Sequence, residues 1–152
     1  MKKNIYIALI KTLKSVFDTA SPLSIQAKMS LSASILGCSF PNWNFCGFYI
    51  ATKKNALEIG PYYGSMIPCT NIAYGKGVCG TAAERREIII VDNVHNYNNY
   101  ISCDSETKSE IVVPVFEREI LKAVLDIDSM EEADFGKADK IYLEKICTLI
   151  SK

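Results

Sequence analysis

Glu110-Ile-Val-Val-Pro-Val-Phe-Glu-Arg-Glu-Ile-Leu-Lys-Ala-Val-Leu-Asp-Ile-Asp128 contains two apolar runs on either side of the charged turn Glu117-Arg-Glu119. Apolar runs that are rich in β-branched residues and joined by a short polar turn predict an antiparallel hairpin. Strands are predicted at about 45–51, 56–59, 87–91, 110–116 and 120–127, a short helix after the glycine-rich loop at 74–83, and longer helices at about 3–18, 22–36 and 136–150. Ser21 is predicted to cap the second helix and Gly37 to end it. This order of elements predicts an α+β fold, with a central antiparallel sheet, helices mainly on one face and a ligand pocket under loops on the other.

Length and charge limit the classes of function that fit this chain. Its 152 residues predict a single domain, 1–152, large enough to fold without disulfide support. Seventeen basic residues balance 17 acidic ones, so no net field favours nucleic acid or an anionic membrane as partner. Lys11 and Lys14 interrupt the apolar N-terminal run, which therefore predicts an amphipathic helix and not a signal peptide. A cytoplasmic location with reduced thiols is the expectation.

Three of the six cysteines lie in polar sequence that predicts loops. These are Cys69 in Ile67-Pro-Cys-Thr70, Cys79 in Gly77-Val-Cys-Gly80, and Cys103 in Ile101-Ser-Cys-Asp-Ser-Glu106. A thiol in a polar loop can ionise and react, whereas a buried thiol behaves as a small hydrophobe. Residues 104–107 commonly open a helix, whose dipole would stabilise a Cys103 thiolate, although Asp104 and Glu106 would oppose ionisation. The alternative for each cysteine is a packed, inert thiol.

Two aspartates, Asp126 and Asp128, flank Ile127 in a predicted strand. Side chains alternate along a strand, so both carboxylates are expected on one face, and Glu110 joins them if the two strands pair as a hairpin. Like charges held together need a shared proton or a cation, which a substrate ammonium group or a metal ion would supply. The alternative is a solvated strand end. Zinc is not predicted, because the chain has no Cys-x-x-Cys pair and a single histidine, His95.

Several segments between Asn42 and Asp128 together resemble the GAF-domain enzymes that reduce free methionine-(R)-sulfoxide. They are Cys-Gly-Phe-Tyr at 46–49, Gly-Pro-Tyr-Tyr-Gly at 60–64, Pro-Cys at 68–69, Tyr-Gly-Lys-Gly-Val-Cys-Gly-Thr-Ala at 74–82, Cys-Asp at 103–104, Lys-Ser-Glu-Ile-Val-Val-Pro at 108–114 and Leu-Asp-Ile-Asp at 125–128. All three cysteines of that family are present at its spacing. Ordinary GAF sensor domains do not share this set.

The resemblance implies a role for each candidate residue. Cys103 would attack the sulfoxide sulfur and become a sulfenic acid, and Cys69 would condense with it to a disulfide, with Cys79 as a secondary partner. Thioredoxin would supply the electrons, so no further cofactor is implied. The substrate's ammonium and sulfoxide groups would lie against three carboxylates, and its methyl group against two aromatic rings. These substrate-binding residues are Glu110, Asp126, Asp128, Phe45 and Tyr49.

The chain departs from the family pattern at two places. The family's pocket tryptophan falls on Phe45, and its usual Gly-His pair falls on Asn99-Tyr100. Phenylalanine keeps an apolar wall but removes area and the indole N–H, which predicts weaker affinity.

Two other readings of the same residues stay open. One is a GAF module that binds a ligand without catalysis, and the other is a redox sensor that switches through a Cys69–Cys103 disulfide. The resemblance also implies a possible homodimer formed through helices.

Overall fold

The computed structural model describes residues 1–19 and 21–152 and is built around one antiparallel sheet. In chain order its elements are α1 (Lys2–Phe17), α2 (Ile25–Ser39), β1 (Trp43–Ala51), β2 (Ala56–Gly64), β3 (Asn71–Ala73), α3 (Gly77–Arg85), β4 (Ile89–Val91), a 3-10 turn (Val94–Asn96), β5 (Ser109–Glu117), β6 (Ile120–Ser129) and α4 (Lys137–Ile150). The six strands are ordered β3-β2-β1-β6-β5-β4, and each neighbouring pair is antiparallel. This confirms the predicted α+β class.

The predicted hairpin of β5 and β6 lies near the middle of the sheet. Glu110 faces Asp128 across the pair, and Val112 faces Asp126. Both strands are buried over most of their length, which accounts for their nearly continuous apolar character. The hairpin therefore brings the acidic residues at its open end together.

The sheet separates two apolar layers. On one face, the side chains of α1, α2 and α4 pack with alternate strand residues such as Cys46, Phe48 and Ile127 into the larger core. On the other face, α3 packs over a smaller cluster that includes Phe45 and Tyr49. Three long helices on one face and a short helix with loops on the other agree with the predicted layering.

Several element boundaries differ from prediction. Helix α2 is capped by Ser24, whose Oγ accepts a hydrogen bond from the Ala27 N–H, and not by Ser21. The helix also continues through Gly37, where the absent Cβ leaves room for the ring of Tyr63. Strand β2 runs to Gly64, past its predicted end at Ile59. Gly60, Pro61 and Gly64 lie within this strand, which pairs with β1.

None of the described helices combines the length and the apolar character needed to cross a lipid bilayer.

Candidate active site

A cavity lies on the face of the sheet that carries α3. Its walls come from β1, β6, the open end of β5, the first turn of α3 and two loops that close over it. Most of the residues that the sequence singled out line it: Phe45, Tyr49, Cys79, Cys103, Glu110, Asp126 and Asp128. Its volume is about 30 Å³, room for about two water molecules. The fold thus gathers side chains that are far apart in the chain.

Cys69 and Cys103 form a disulfide at the mouth of this cavity. Cys69 lies in the loop between β2 and β3, and Cys103 in the loop before β5, so the bond joins loops 34 residues apart in sequence. Their Cα atoms are 5.9 Å apart, within the ordinary range for a disulfide. Both residues are partly exposed. The two thiols can therefore react with one another, and a reductant can reach their bond.

The expectation of a polar loop around Cys79 is wrong. Gly75 and Gly77 have positive φ angles and turn the chain directly into α3, so that Cys79 lies in its first turns and is 4% exposed. A Cβ at Gly80 would overlap the carbonyl oxygen of Ala73, and its absence lets α3 pack closely on β3. Burial, with the nearby charges of Asp126 and Glu110, raises the thiol pKa well above its usual value. Cys79 is consequently a neutral, buried thiol.

The three carboxyl groups form the acidic floor of the cavity and are all buried. Glu110 is 5% exposed, Asp126 6% and Asp128 8%. Burial, together with the charge of Asp126, raises the pKa values of Glu110 and Asp128 well above the usual range. Burial also raises the pKa of Asp126, to about 6, although the neighbouring proton-bearing groups of Glu110 and Cys79 partly offset it. At neutral pH the floor therefore holds both protons and negative charge.

The acidic floor has unfilled hydrogen-bonding capacity. Cys79 donates from Sγ to Oε1 of Glu110 over 4.0 Å, but Oδ1 of Asp126 is buried without a partner among the described residues. One ligand atom each from Cys79, Glu110 and Asp126 lies within 4.8 Å of the other two. A cationic group, either an ammonium or a metal ion, would match this arrangement in charge.

The aromatic wall stands beside the acidic floor on β1. Phe45 and Tyr49 project from β1 on the cavity side, with ring centroids 6.3 Å apart. Phe45 also stacks on Tyr62 of the neighbouring strand at 5.6 Å. A Cβ at Gly47 would overlap Tyr62 and approach the Phe45 ring, so this glycine makes the stacking possible. The cavity thus has one acidic and one apolar wall.

Two features of the Cys103 loop differ from what the sequence indicated. Residues 104–107 form bends and no helix, and Oδ1 of Asp104 accepts the Glu106 N–H at 3.1 Å in a local turn. The helix that was expected to stabilise a Cys103 thiolate is therefore not formed at these residues. Tyr100, which sequence reasoning did not propose as a site residue, lines the cavity near the carboxyl groups. The sequence feature that could have identified Tyr100 is its position, where the family usually has histidine.

Comparisons with known proteins agree with this geometry. A model of the GAF domain matches residues 29–152. The free methionine-R-sulfoxide reductase of Saccharomyces cerevisiae is 43% identical over 138 residues, which cover 89% of this chain and 72% of that protein. The chain belongs to the GAF-domain family of free methionine-R-sulfoxide reductases.

Solved structures of this reductase family superimpose closely on the present fold. The Neisseria meningitidis reductase in complex with its substrate has a TM-score of 0.91 and 31% identity, covering 99% of this chain and 89% of that one. The reduced form from Staphylococcus aureus has a TM-score of 0.89 and 36% identity, covering 96% and 92%. The family assignment made from motifs is thus confirmed.

Proposed function

We propose that this protein reduces free L-methionine-(R)-sulfoxide to methionine through a disulfide cycle of Cys103 and Cys69. The observation that carries the proposal is the Cys69–Cys103 disulfide at the mouth of a cavity with an acidic floor and an aromatic wall. The Neisseria meningitidis relative is described in complex with its substrate, which supports a small-molecule substrate for this cavity.

Cys103 is the nucleophile in this scheme. Its thiolate attacks the sulfoxide sulfur and forms a transient sulfur–sulfur bond. The protonated oxygen then passes to the Cys103 sulfur, both the original sulfur–oxygen bond and the sulfur–sulfur bond break, and methionine leaves while Cys103 becomes a sulfenic acid. The sulfoxide oxygen takes up one proton in this step. A carboxyl group whose pKa is raised by burial, as for Glu110, holds such a proton at neutral pH.

The carboxyl floor also selects a free amino acid. Asp126 has a buried oxygen with no hydrogen-bond partner among the residues that the structure describes. Above its pKa of about 6 the group is ionised, which suits it to bind an ammonium group. A peptide-bound sulfoxide lacks that ammonium group and would leave the buried charge unpaired. Phe45 and Tyr49 are the proposed wall for the methyl group, which carries no hydrogen-bonding atom.

Cys69 resolves the sulfenic acid. Its thiolate attacks the Cys103 sulfur, hydroxide leaves and is protonated to water, and the disulfide results. A dithiol reductant of the thioredoxin class then restores both thiols by exchange, so the cycle needs no bound cofactor. The cavity closed by the disulfide is too small for methionine sulfoxide, so reduction precedes the next binding event.

The Cys69→Ser variant separates the two halves of this cycle. We expect one equivalent of methionine per chain in a single turnover, because Cys103 still reacts, and a fall of at least about a hundredfold in thioredoxin-supported turnover. Mass spectrometry after dimedone labelling should find the sulfenic acid on Cys103. Steady turnover at the wild-type rate would show that Cys79 or another thiol resolves the intermediate.

Replacing Phe45 by tryptophan is expected to strengthen substrate binding. The larger ring adds about 40 Å² of apolar contact, worth about 1 kcal/mol, so KM should fall roughly fivefold with kcat little changed. Tyr62 is 43% exposed and can move outward to make room. Steady-state kinetics with Tyr62→Phe as the control variant test this, and an unchanged KM would contradict the proposed wall.

A cytoplasmic location, a homodimer formed through helices, and residues 1–152 as one domain complete the proposal. They rest on the family resemblance and on the composition of the chain.

A further inference from the structure

Strand β1 contains an irregularity at Asn44, next to the cavity. Trp43 pairs with Ser129 of β6, and Phe45 pairs with Asp128, so β1 advances two residues where β6 advances one. Asn44 is the extra residue of this bulge. Bulges interrupt the alternation of side chains and often redirect one side chain beside a functional site.

The redirected side chain of Asn44 contacts the Cys103 loop. Its Nδ2 donates to Oδ2 of Asp104 at 2.7 Å and to Oγ1 of Thr107 at 2.9 Å. Thr107 is 1% exposed, so its hydrogen bond to Asn44 is shielded from solvent. One amide group on a strand thus binds two residues of the segment that follows Cys103, the first of them directly next to it.

We propose that Asn44 is a positioning residue that fixes the loop bearing Cys103 over the cavity and opposite Cys69. Between the 3-10 turn and β5 the loop contains no helix or strand. The side chain of Asn99 anchors the part before Cys103 by donating to the Gly75 carbonyl at 2.8 Å, and Asn44 anchors the part after it. The effect on sulfoxide reduction rests on the proposed function. The effect on disulfide formation requires only the two cysteines that the structure joins.

The hydrogen bond between Asn44 and Asp104 can be removed by substituting either residue. It can be restored by substituting both, with donor and acceptor exchanged. In Asn44→Asp, two carboxylates face each other and repel. In Asp104→Asn, two amino groups face each other, because the remaining side-chain oxygen is needed by the Glu106 N–H. In the double variant, the amide at 104 donates to the carboxylate at 44, and the net charge is that of the wild type.

Two measurements on these variants test the proposal. One is kcat/KM for free L-methionine-(R)-sulfoxide, and the other is the equilibrium of the Cys69–Cys103 disulfide with glutathione in the absence of substrate. Each single variant is expected to lose about tenfold to a hundredfold in kcat/KM, and about tenfold in the effective concentration of the two thiols. The double variant should exceed either single variant at least about fivefold in both.

The controls distinguish positioning from damage to the fold. Asn98→Asp makes the same change at an exposed position of the same region and should leave both measurements unchanged. If Asn44→Asp does not fold, Asp104→Asn at its half-buried position carries the test. Single variants that match the wild type in both measurements would overturn the proposal. A double variant whose loss is the sum of the losses of the two single variants would overturn it as well. A wild type inactive on the sulfoxide would refute the proposed function, while the glutathione equilibrium would still test the positioning role.

Discussion

The Cys103→Ser variant is expected to produce no methionine from free methionine-(R)-sulfoxide, with kcat/KM lowered at least about a thousandfold. Serine is nearly the same size as cysteine, but its hydroxyl group is not ionised near neutral pH and forms no sulfenic acid. Thioredoxin-coupled oxidation of NADPH measures the loss directly. Because Cys103 lies at the mouth of the cavity, half-buried and outside the core, the variant should fold normally.

Cys38→Ser is the matched control for this experiment. Cys38 has an exposed, free thiol near the end of α2, on the opposite side of the sheet from the cavity. Its replacement should leave turnover within about twofold of wild type. Wild-type turnover in Cys103→Ser would contradict the assignment of the nucleophile.

The Asp126→Asn variant is expected to lose activity and gain stability. Loss of the charge that meets the substrate ammonium should lower kcat/KM about a hundredfold. The same charge is costly in the free protein, because burial raises the pKa of Asp126 from 3.8 to about 6. At pH 7 its removal should therefore increase the free energy of unfolding by about 2–3 kcal/mol.

The gain in stability should depend on pH in a defined direction. The folded state retains the Asp126 proton up to a pKa of about 6, whereas the unfolded chain releases it near pH 4. The contribution of this group to the free energy of unfolding of the wild type is therefore fully present below pH 4. It falls as the pH rises to about 6. The stability difference between the variant and the wild type should be largest above pH 6 and small below pH 4.

Urea unfolding at several pH values checks this prediction. The control is Glu58→Gln, which removes an exposed carboxylate from β2, and its stability should change by less than about 0.5 kcal/mol at every pH. A destabilised Asp126→Asn protein at pH 7, or a difference independent of pH, would contradict a buried charge held for function.

The sequence was sufficient to predict the features that follow from short-range patterns. The hairpin of β5 and β6 could be predicted from apolar runs and a charged turn, and period two then placed Asp126 and Asp128 on one face. Their proximity to Glu110 followed from hairpin pairing, which the structure confirms. The order of helices and strands predicted an antiparallel sheet with helices mainly on one face.

Features that depend on tertiary contacts were not predictable in the same way. Cys79 has glycine neighbours that are typical of an exposed loop, but the same glycines allow α3 to pack closely and bury the thiol. Polar residues 104–107 suggested a helix start, whereas the bulge at Asn44 supplies hydrogen bonds that hold them in a bend. A bulge has no local sequence signature here, so its consequences were not visible in the chain.

The most direct test of the proposed function compares three substrates with the reduced wild-type protein. Thioredoxin-coupled NADPH oxidation should be measured with free L-methionine-(R)-sulfoxide, its (S) epimer and a peptide-bound (R)-sulfoxide. We expect turnover with the free (R) form alone, since the cavity offers an acidic floor for a free ammonium group. No turnover with any of the three, with the Cys69–Cys103 disulfide still forming under oxidants, would contradict the enzyme and favour a redox switch.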